Sequence, residues 1–258
     1  MSDAVALERH GAIALIELNR PEIRNALNGE LKAELERMVP TLLSDKSVRS
    51  LVLTGNGTAF CAGGDLTSMR DRSAIAMHSR MQRAHQWILL LANADVPIIT
   101  AVNGSAMGAG LGLALLGDVI IAADNARFQA GFPKVGAVPD FGLPWTLPRI
   151  VGMNRAKDML LSNRSVDAQE ALAIGLVSRV VPAAQLRQEA LALAQALAEG
   201  PTFAFGLTKA LLRAAQSHSM SDYLRTEGNA QSLAYASDDF GEGVAAFLER
   251  RPPVFNGS

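Results

Sequence analysis

A single cysteine, Cys61, in 258 residues excludes an intramolecular disulfide, and no cysteine–histidine cluster has the spacing of a zinc site. Charge of one sign is also lacking: 24 lysines and arginines stand against 25 aspartates and glutamates, a formal net charge of −1. That balance excludes the basic field of a nucleic-acid binder and a polybasic anchor for a membrane surface. No apolar run approaches the ~20 residues a membrane-crossing helix needs, and the N-terminus lacks a signal-peptide pattern. Low-complexity tracts are absent, as is any repeat clear enough to mark a solenoid. These absences point to a soluble cytoplasmic protein with no structural metal, binding small, neutral or locally held ligands. What is present is 49% hydrophobic content, enough at this length for one large globular domain with room for an appendage.

The stretch 98–132, IITAVNGSAMGAGLGLALLGDVIIAADNARFQAGF, organises the rest. Ile98, Ile99, Thr100, Ala101 and Val102 form an unbroken run short enough for a strand buried on both faces. Asn103 and Gly104 break it, Gly108, Ala109 and Gly110 follow, and a helix carrying Leu111, Leu115 and Leu116 leads to a second buried strand over 119–123. A strand feeding a glycine-rich turn and a helix start aims unpaired backbone N–H groups at one point. The glycine spacing does not match a dinucleotide fingerprint, since Leu113 stands where the third glycine belongs. Two readings stay open. One is an oxyanion hole, needing a second amide from elsewhere; the other is close packing of helix against sheet.

In chain order, residues 5–7 and 13–18 read as an N-terminal hairpin around His10 and Gly11. Leu27, Leu31, Leu35, Met38 and Leu42 mark a helix face with Asn28 as its cap. Residues 50–54 form the next strand. Gly63 and Gly64 then precede another helix start, where Gly64 can supply the missing amide. Over 74–92 the pattern is helical, with His78, Met81, His85, Ile88, Leu89 and Ala92 on one side; His85 reads first as a packed or solvated helix residue. Parallel strands separated by helices require right-handed crossovers, so a coiled stack of strand–strand–helix units is expected. Beyond Phe128 the chain gains helices, punctuated by Pro133, Pro139, Pro144 and Pro148, with one strand over 177–181. Ala190, Leu193, Ala194 and Leu197 trace one apolar stripe, and Phe240, Val244, Phe247 and Leu248 another. These stripes need a partner surface, either the first domain or another subunit.

Five segments in order, NRPEIRNALN, FCAGGDL, NGSAMGAGLGLALLGDVIIAADNARF, LPRIVG and GEGVAAFLERRPPVF, resemble the crotonase or enoyl-CoA hydratase/isomerase superfamily over nearly the whole chain. The resemblance implies an α/β fold, a spiral of ββα units in an acyl-CoA-binding core over 1–197 and a helical trimerisation region over 198–258. It further implies a trimer or dimer of trimers, an acyl-CoA substrate, no resident cofactor beyond the coenzyme A of that substrate, and a thioester oxygen held by the amides of Gly64 and Ala109. Hydratases of the family carry glutamates at the positions of Gly112 and Phe132. Both are missing here, and adding water needs a general base and acid that neither residue supplies.

Asp140 remains. Its local reading is a helix N-cap. The segment FPKVGAVPDFG is similar to ring-1,2-epoxyphenylacetyl-CoA isomerase and the related Δ3,Δ2-enoyl-CoA isomerases, whose acid/base aspartate matches Asp140 and which also have phenylalanine at the position of Phe132. That likeness implies fatty-acid or phenylacetate metabolism and an isomerase that moves a double bond, or opens a ring epoxide, through a thioester enolate. Packing around Phe132 and Phe141 is expected to keep the carboxylate partly dry and raise its pKa. Three alternatives accompany this reading. One is a lyase of the hydratase type. Another is a hydrolase like 4-chlorobenzoyl-CoA dehalogenase, with Asp140 as nucleophile and His85 as base, although Phe132 replaces the tryptophan whose N–H binds the aspartate there. The third is a non-catalytic CoA- or RNA-binding relative. The family pattern places coenzyme A against Arg24, Asn25, Ala26, Ala62, Gly63, Asp65 and Leu66, and implies that Phe247 and Arg250 reach a neighbouring subunit's coenzyme A. Met107, Phe132, Phe141 and Trp145 are candidates for the acyl pocket.

Overall fold

The computed structural model describes residues 4–68 and 73–258. Its strands are β1 (Val5–His10), β2 (Ile13–Leu18), β3 (Ser50–Gly55), β4 (Ala59–Cys61), β5 (Ile98–Val102), β6 (Ser105–Met107), β7 (Val119–Ala123), β8 (Arg127–Gln129), β9 (Val166–Asp167) and β10 (Arg179–Val181). They divide between two sheets of order β1-β2-β3-β5-β7-β10 and β4-β6-β8-β9. The β1–β2 hairpin and the β8–β9 pair are antiparallel; every other pairing is parallel. Successive strands β3/β4, β5/β6 and β7/β8 therefore place one member in each sheet, which is the coiled ββα repeat expected from the sequence. The three-residue strands of the second sheet lie in stretches read from sequence only as glycine-rich turns or connections.

Alternation decides which core each side chain of the large sheet enters. Ile13, Leu15, Val52, Ile99, Ala101 and Ile121 face one side, where they are covered by Leu186, Ala190, Ala194 and Ala198 of a helix at Leu186–Ala198. Ala14, Ile16, Leu18, Leu51, Leu53, Ile98 and Val102 face the larger core on the other side. Both faces are buried, so these strands read as continuous apolar runs.

The helices are α1 (Gly29–Ser44), α2 (Ala74–Ala92), α3 (Ala109–Ala114), α4 (Leu143–Val151), α5 (Met153–Ser162), α6 (Ala168–Ala173), α7 (Leu186–Ala198), α8 (Thr202–Ala214), α9 (Met220–Tyr235) and α10 (Asp238–Glu249). Asn28 caps α1 as expected, its side chain accepting from the Leu31 N–H at 2.9 Å. Leu27 is not part of that helix. It lies before the cap, bridged to Gly64. The apolar face of α2 also differs from expectation: Ala84, Trp87, Ile88 and Leu91 are buried, whereas His78, His85 and Leu89 are exposed. Trp87 sets that face because its ring has the most apolar surface to bury. The stripe of α10 is uncovered in the single chain, with Phe247 83% and Leu248 74% exposed.

Candidate active site

Strands β4 and β6 run parallel, Ala59 opposite Ser105 and Cys61 opposite Ala106, so the turns that follow them lie side by side. Close approach requires glycine at 63: at φ +93°, a Cβ there would stand 2.6 Å from the Met107 carbonyl oxygen. The Gly63 carbonyl is anchored by the Leu27 N–H at 2.7 Å, which fixes the plane of the peptide leading into Gly64. Ala109 opens α3, where the first amides have no intrahelical acceptor. Gly64 and Ala109 both line two adjoining cavities, of about 340 and 490 Å³. Beneath them Cys61 is buried, its thiol pushed up to about 12 by burial, which makes it an inert packing group.

The same cavities share Asp140. Its backbone carbonyl accepts from the Leu143 N–H at 3.0 Å, but its side chain caps nothing; the residue at the N-cap of α4 is Gly142. The local reading of Asp140 as a cap is therefore corrected. Its Oδ1 is buried without a hydrogen-bond partner. Burial raises the carboxyl to about 6, opposed by the nearby Lys32 charge, the residue's own N–H and, more weakly, His85. A carboxyl near 6 can both take and return a proton around neutral pH.

Phe141 holds this segment in place. Its backbone is left-handed, φ 51°, and its ring meets Trp87 edge to face at 5.7 Å between centroids. Against it lies Gly112, where a Cβ would be 2.7 Å from the Phe141 Cβ and 2.9 Å from its carbonyl oxygen. The space next to α3 is thus filled by the Asp140–Phe141 turn. With this backbone, position 112 has no room for a side chain.

Other residues singled out from sequence fall in several places. Ala62, Gly63, Leu66, Met107 and Phe132 line the larger cavity. Asp65 is half-buried, its Oδ1 accepting from the N–H and hydroxyl of Thr67. Arg24 is exposed on a left-handed turn, and Ala26 is half-buried beside it. Asn25 departs from expectation: it is fully buried, its Oδ1 accepting from the Arg20 N–H while its Nδ2 donates to the carbonyls of Asn56 and Ala59. It ties loops together and presents no side-chain atom to a ligand. Trp145 lies outside both cavities, with Arg149 stacked over its ring at 4.0 Å. His85 is exposed and lines neither cavity, and the buried Phe132 offers no N–H to the Asp140 carboxylate; both facts count against the dehalogenase arrangement. Phe247 and Arg250 are exposed on and after α10, away from these cavities in the single chain.

Sequence reasoning missed the contribution of α1 and α2 to the smaller cavity. Lys32, Arg80 and Arg83 line it together with Asp140. Periodicity carried no signal for them, because cations flanking an apolar stripe are ordinary on any surface helix. Among the described residues no cluster of histidine, cysteine, aspartate and glutamate is arranged to hold a metal ion, and no helix is long and apolar enough to cross a membrane.

A family model described as enoyl-CoA hydratase/isomerase matches residues 8–258. The chain is 39% identical over 249 residues to 1,2-epoxyphenylacetyl-CoA isomerase of Escherichia coli, covering 95% of each. It is also 39% identical over 259 residues to 2,3-dehydroadipyl-CoA hydratase of the same organism, covering 100% of each. Among solved structures, an enoyl-CoA hydratase/isomerase from Cupriavidus metallidurans superimposes with a TM-score of 0.93 at 32% identity, over 99% of this chain and 97% of that one.

Proposed function

The chain belongs to the enoyl-CoA hydratase/isomerase family, and from that premise we propose that it is an acyl-CoA isomerase working through a thioester enolate with one carboxylate. The reading rests on Asp140, a partly buried carboxyl with an unpartnered oxygen where the two cavities meet, next to the Gly64 and Ala109 amides. The amides receive the negative charge that develops on the thioester oxygen, each contributing about 3 kcal/mol to the transition state by analogy with measured oxyanion donors. Asp140 takes an allylic proton from one carbon and returns it to another, so the double bond moves while the proton stays in the site. Opening a ring epoxide next to the thioester is the same class of reaction, and one of the relatives is named for it.

Hydration is the competing reaction, because another relative of equal identity is named a hydratase. It requires a second group to hold and split water. Gly112 has no room for one and Phe132 cannot ionise. The coenzyme enters along the rim formed by Arg24, Ala26, Ala62, Gly63 and Leu66. Residues 198–258 form the surface on which three protomers assemble, with Phe247 and Arg250 at a neighbour's coenzyme.

The product mass tests the reaction directly. Incubation with 3-enoyl-CoA, 2-enoyl-CoA and ring-epoxidised phenylacetyl-CoA should give an isobaric product from the first or the last, and Asp140→Asn should lower that turnover at least ~100-fold while affinity for coenzyme A changes little. Efficient addition of water to 2-enoyl-CoA would defeat the one-carboxylate mechanism. Wild-type turnover in Asp140→Asn would remove its acid/base role.

A further inference from the structure

The smaller cavity runs from Asp140 outward between α1 and α2, and its charged lining is lopsided. Lys32 on α1 and Arg80 and Arg83 on α2 face it, against the single carboxylate of Glu36 beyond Asp140 itself. Lys32 and Arg80 are half-buried, and Arg83 is exposed. Two part-buried arginines elsewhere find acids, Arg20 pairing with Glu30 at 2.9 Å and Arg164 with Glu170 at 2.6 Å, while Arg49 donates to the carbonyls of Phe255 and Gly200. Among the described residues none of the three cations of the cavity makes an ion pair, although Glu36 is at hand. Arg80 Nη1 has instead a sulfur neighbour, Met77 Sδ at 3.9 Å. The Lys32 ammonium is held below its ordinary pKa, first by burial and next by the Arg80 guanidinium. The Asp65 and Asp140 carboxylates oppose that lowering, but three clustered cations against Glu36 and Asp140 in the lining leave the cavity with a positive excess that disfavours other cations and favours anions.

Position in the site says which anion. The thioester sits at Gly64 and Ala109 under the reading above, and the coenzyme arm leaves along the Ala62–Leu66 rim of the larger cavity. The larger cavity also holds Met107 and Phe132, offered above for the acyl pocket; the smaller cavity opens from the same Gly64, Ala109 and Asp140 in a second direction, and that is the direction assigned here to the far end of the acyl chain. Met81, Ala84 and Trp87 give the smaller cavity an apolar wall, and Lys32, Arg80 and Arg83 line it together with them. We propose that this cavity is a subsite for an acyl chain ending in an anionic group, so that the preferred substrates are mono-CoA thioesters of dicarboxylic acids, gripped at their free carboxylate by Lys32 and Arg80. Arginine suits the role, since its planar fork can hold a carboxylate through two parallel hydrogen bonds.

The proposal rests on the acyl-CoA reading but not on which reaction follows, so binding of unreactive thioesters separates the two. Dissociation constants are measured by calorimetry for saturated six- and eight-carbon acyl-CoAs in matched pairs, one ending in a methyl and one in a carboxylate. The carboxylated member should bind at least tenfold tighter at one of the two lengths, and the preference should shrink as salt is raised. In Arg80→Gln and in Lys32→Gln the preference should fall to about twofold or less, with circular dichroism confirming the fold. Equal binding within each wild-type pair, or tighter binding of the methyl-ended member, would overturn the subsite. So would variants that weaken both members and free coenzyme A in parallel, because the cations would then serve the coenzyme's phosphates. If no thioester of either kind binds, the acyl-CoA reading itself fails.

Discussion

Asp140 is followed by Phe141 in the left-handed region and then by Gly142, also left-handed, a turn that sets Asp140 in the wall of the cavity that Phe141 and Trp87 also line. The cost of burying a charge there appears as a raised pKa, and the sign has a consequence for stability. The folded value, about 6, lies above that of an unfolded aspartate, roughly 3.9, so stability from this group is present in acid and lost as pH rises through that interval. Asp140→Asn should therefore raise the melting temperature at pH 8 and have much less effect at pH 4. The gain at pH 8 is on the order of 1–3 kcal/mol, the upper bound being roughly two units at ~1.4 kcal/mol each. Thermal unfolding at the two pH values checks this; an equal shift at both would mean the carboxylate carries no desolvation penalty. Activity should rise with pH along a limb near 6, since the base must be unprotonated. Gly112→Ala tests the neighbouring wall. Its Cβ would meet the Phe141 backbone oxygen, so urea unfolding should show a loss of about 1–3 kcal/mol; an unchanged midpoint would show that the turn yields. Asp140 was legible because an isolated acid in a proline-punctuated segment stands out. Lys32 and Arg80 were not, because only the folded chain shows that α1 and α2 turn them toward one cavity.

Elements with strong local signals matched expectation closely: α2 was read over the same residues as observed, 74–92, and β7 over 119–123. The strands β4, β6 and β8 were not read because three residues hold too little pattern to distinguish a strand from a turn. Their pairing comes from the stacking of successive repeats, a long-range fact. That second sheet is nonetheless what brings Gly64 and Ala109 to one place, since it sets the turn after β4 beside the start of α3. The start of α3 offers a direct test of the Ala109 donor, because the first helical position tolerates proline, which lacks the N–H. Ala109→Pro should retain the helical circular dichroism of the wild type while turnover falls ~100- to 1,000-fold, the loss measured for single oxyanion donors. A folded variant with undiminished turnover would show that the thioester oxygen takes its hydrogen bonds elsewhere.

At the scale of the whole molecule, the large sheet is closed on both faces by α1 and α2 on one side and α7 on the other, and the helices beyond α7 are poorly covered. No residue of α9 is buried, and Phe240, Val244, Phe247 and Leu248 of α10 line an apolar groove with Phe255. A groove on α2, α4 and α8 adds Leu89, Trp145 and Leu212, each more than half exposed. The sequence anticipated uncovered stripes in this region but could not say which faces α7 would hide, because that depends on how α7 lies across the sheet. Apolar surface on this scale is rare on a monomer and favours a closed, symmetric assembly. Sedimentation at micromolar concentration should give three protomers or six. Phe247→Asp, which places a charge in the centre of the α10 groove, should shift the distribution toward monomer. If Phe247 and Arg250 reach the coenzyme of a neighbour, that dissociation should also raise KM for the acyl-CoA more than it lowers kcat, since remote binding is lost and the Asp140 chemistry is not. A monomeric wild type that keeps full activity at nanomolar concentration would refute both the assembly and the role of those two residues in it.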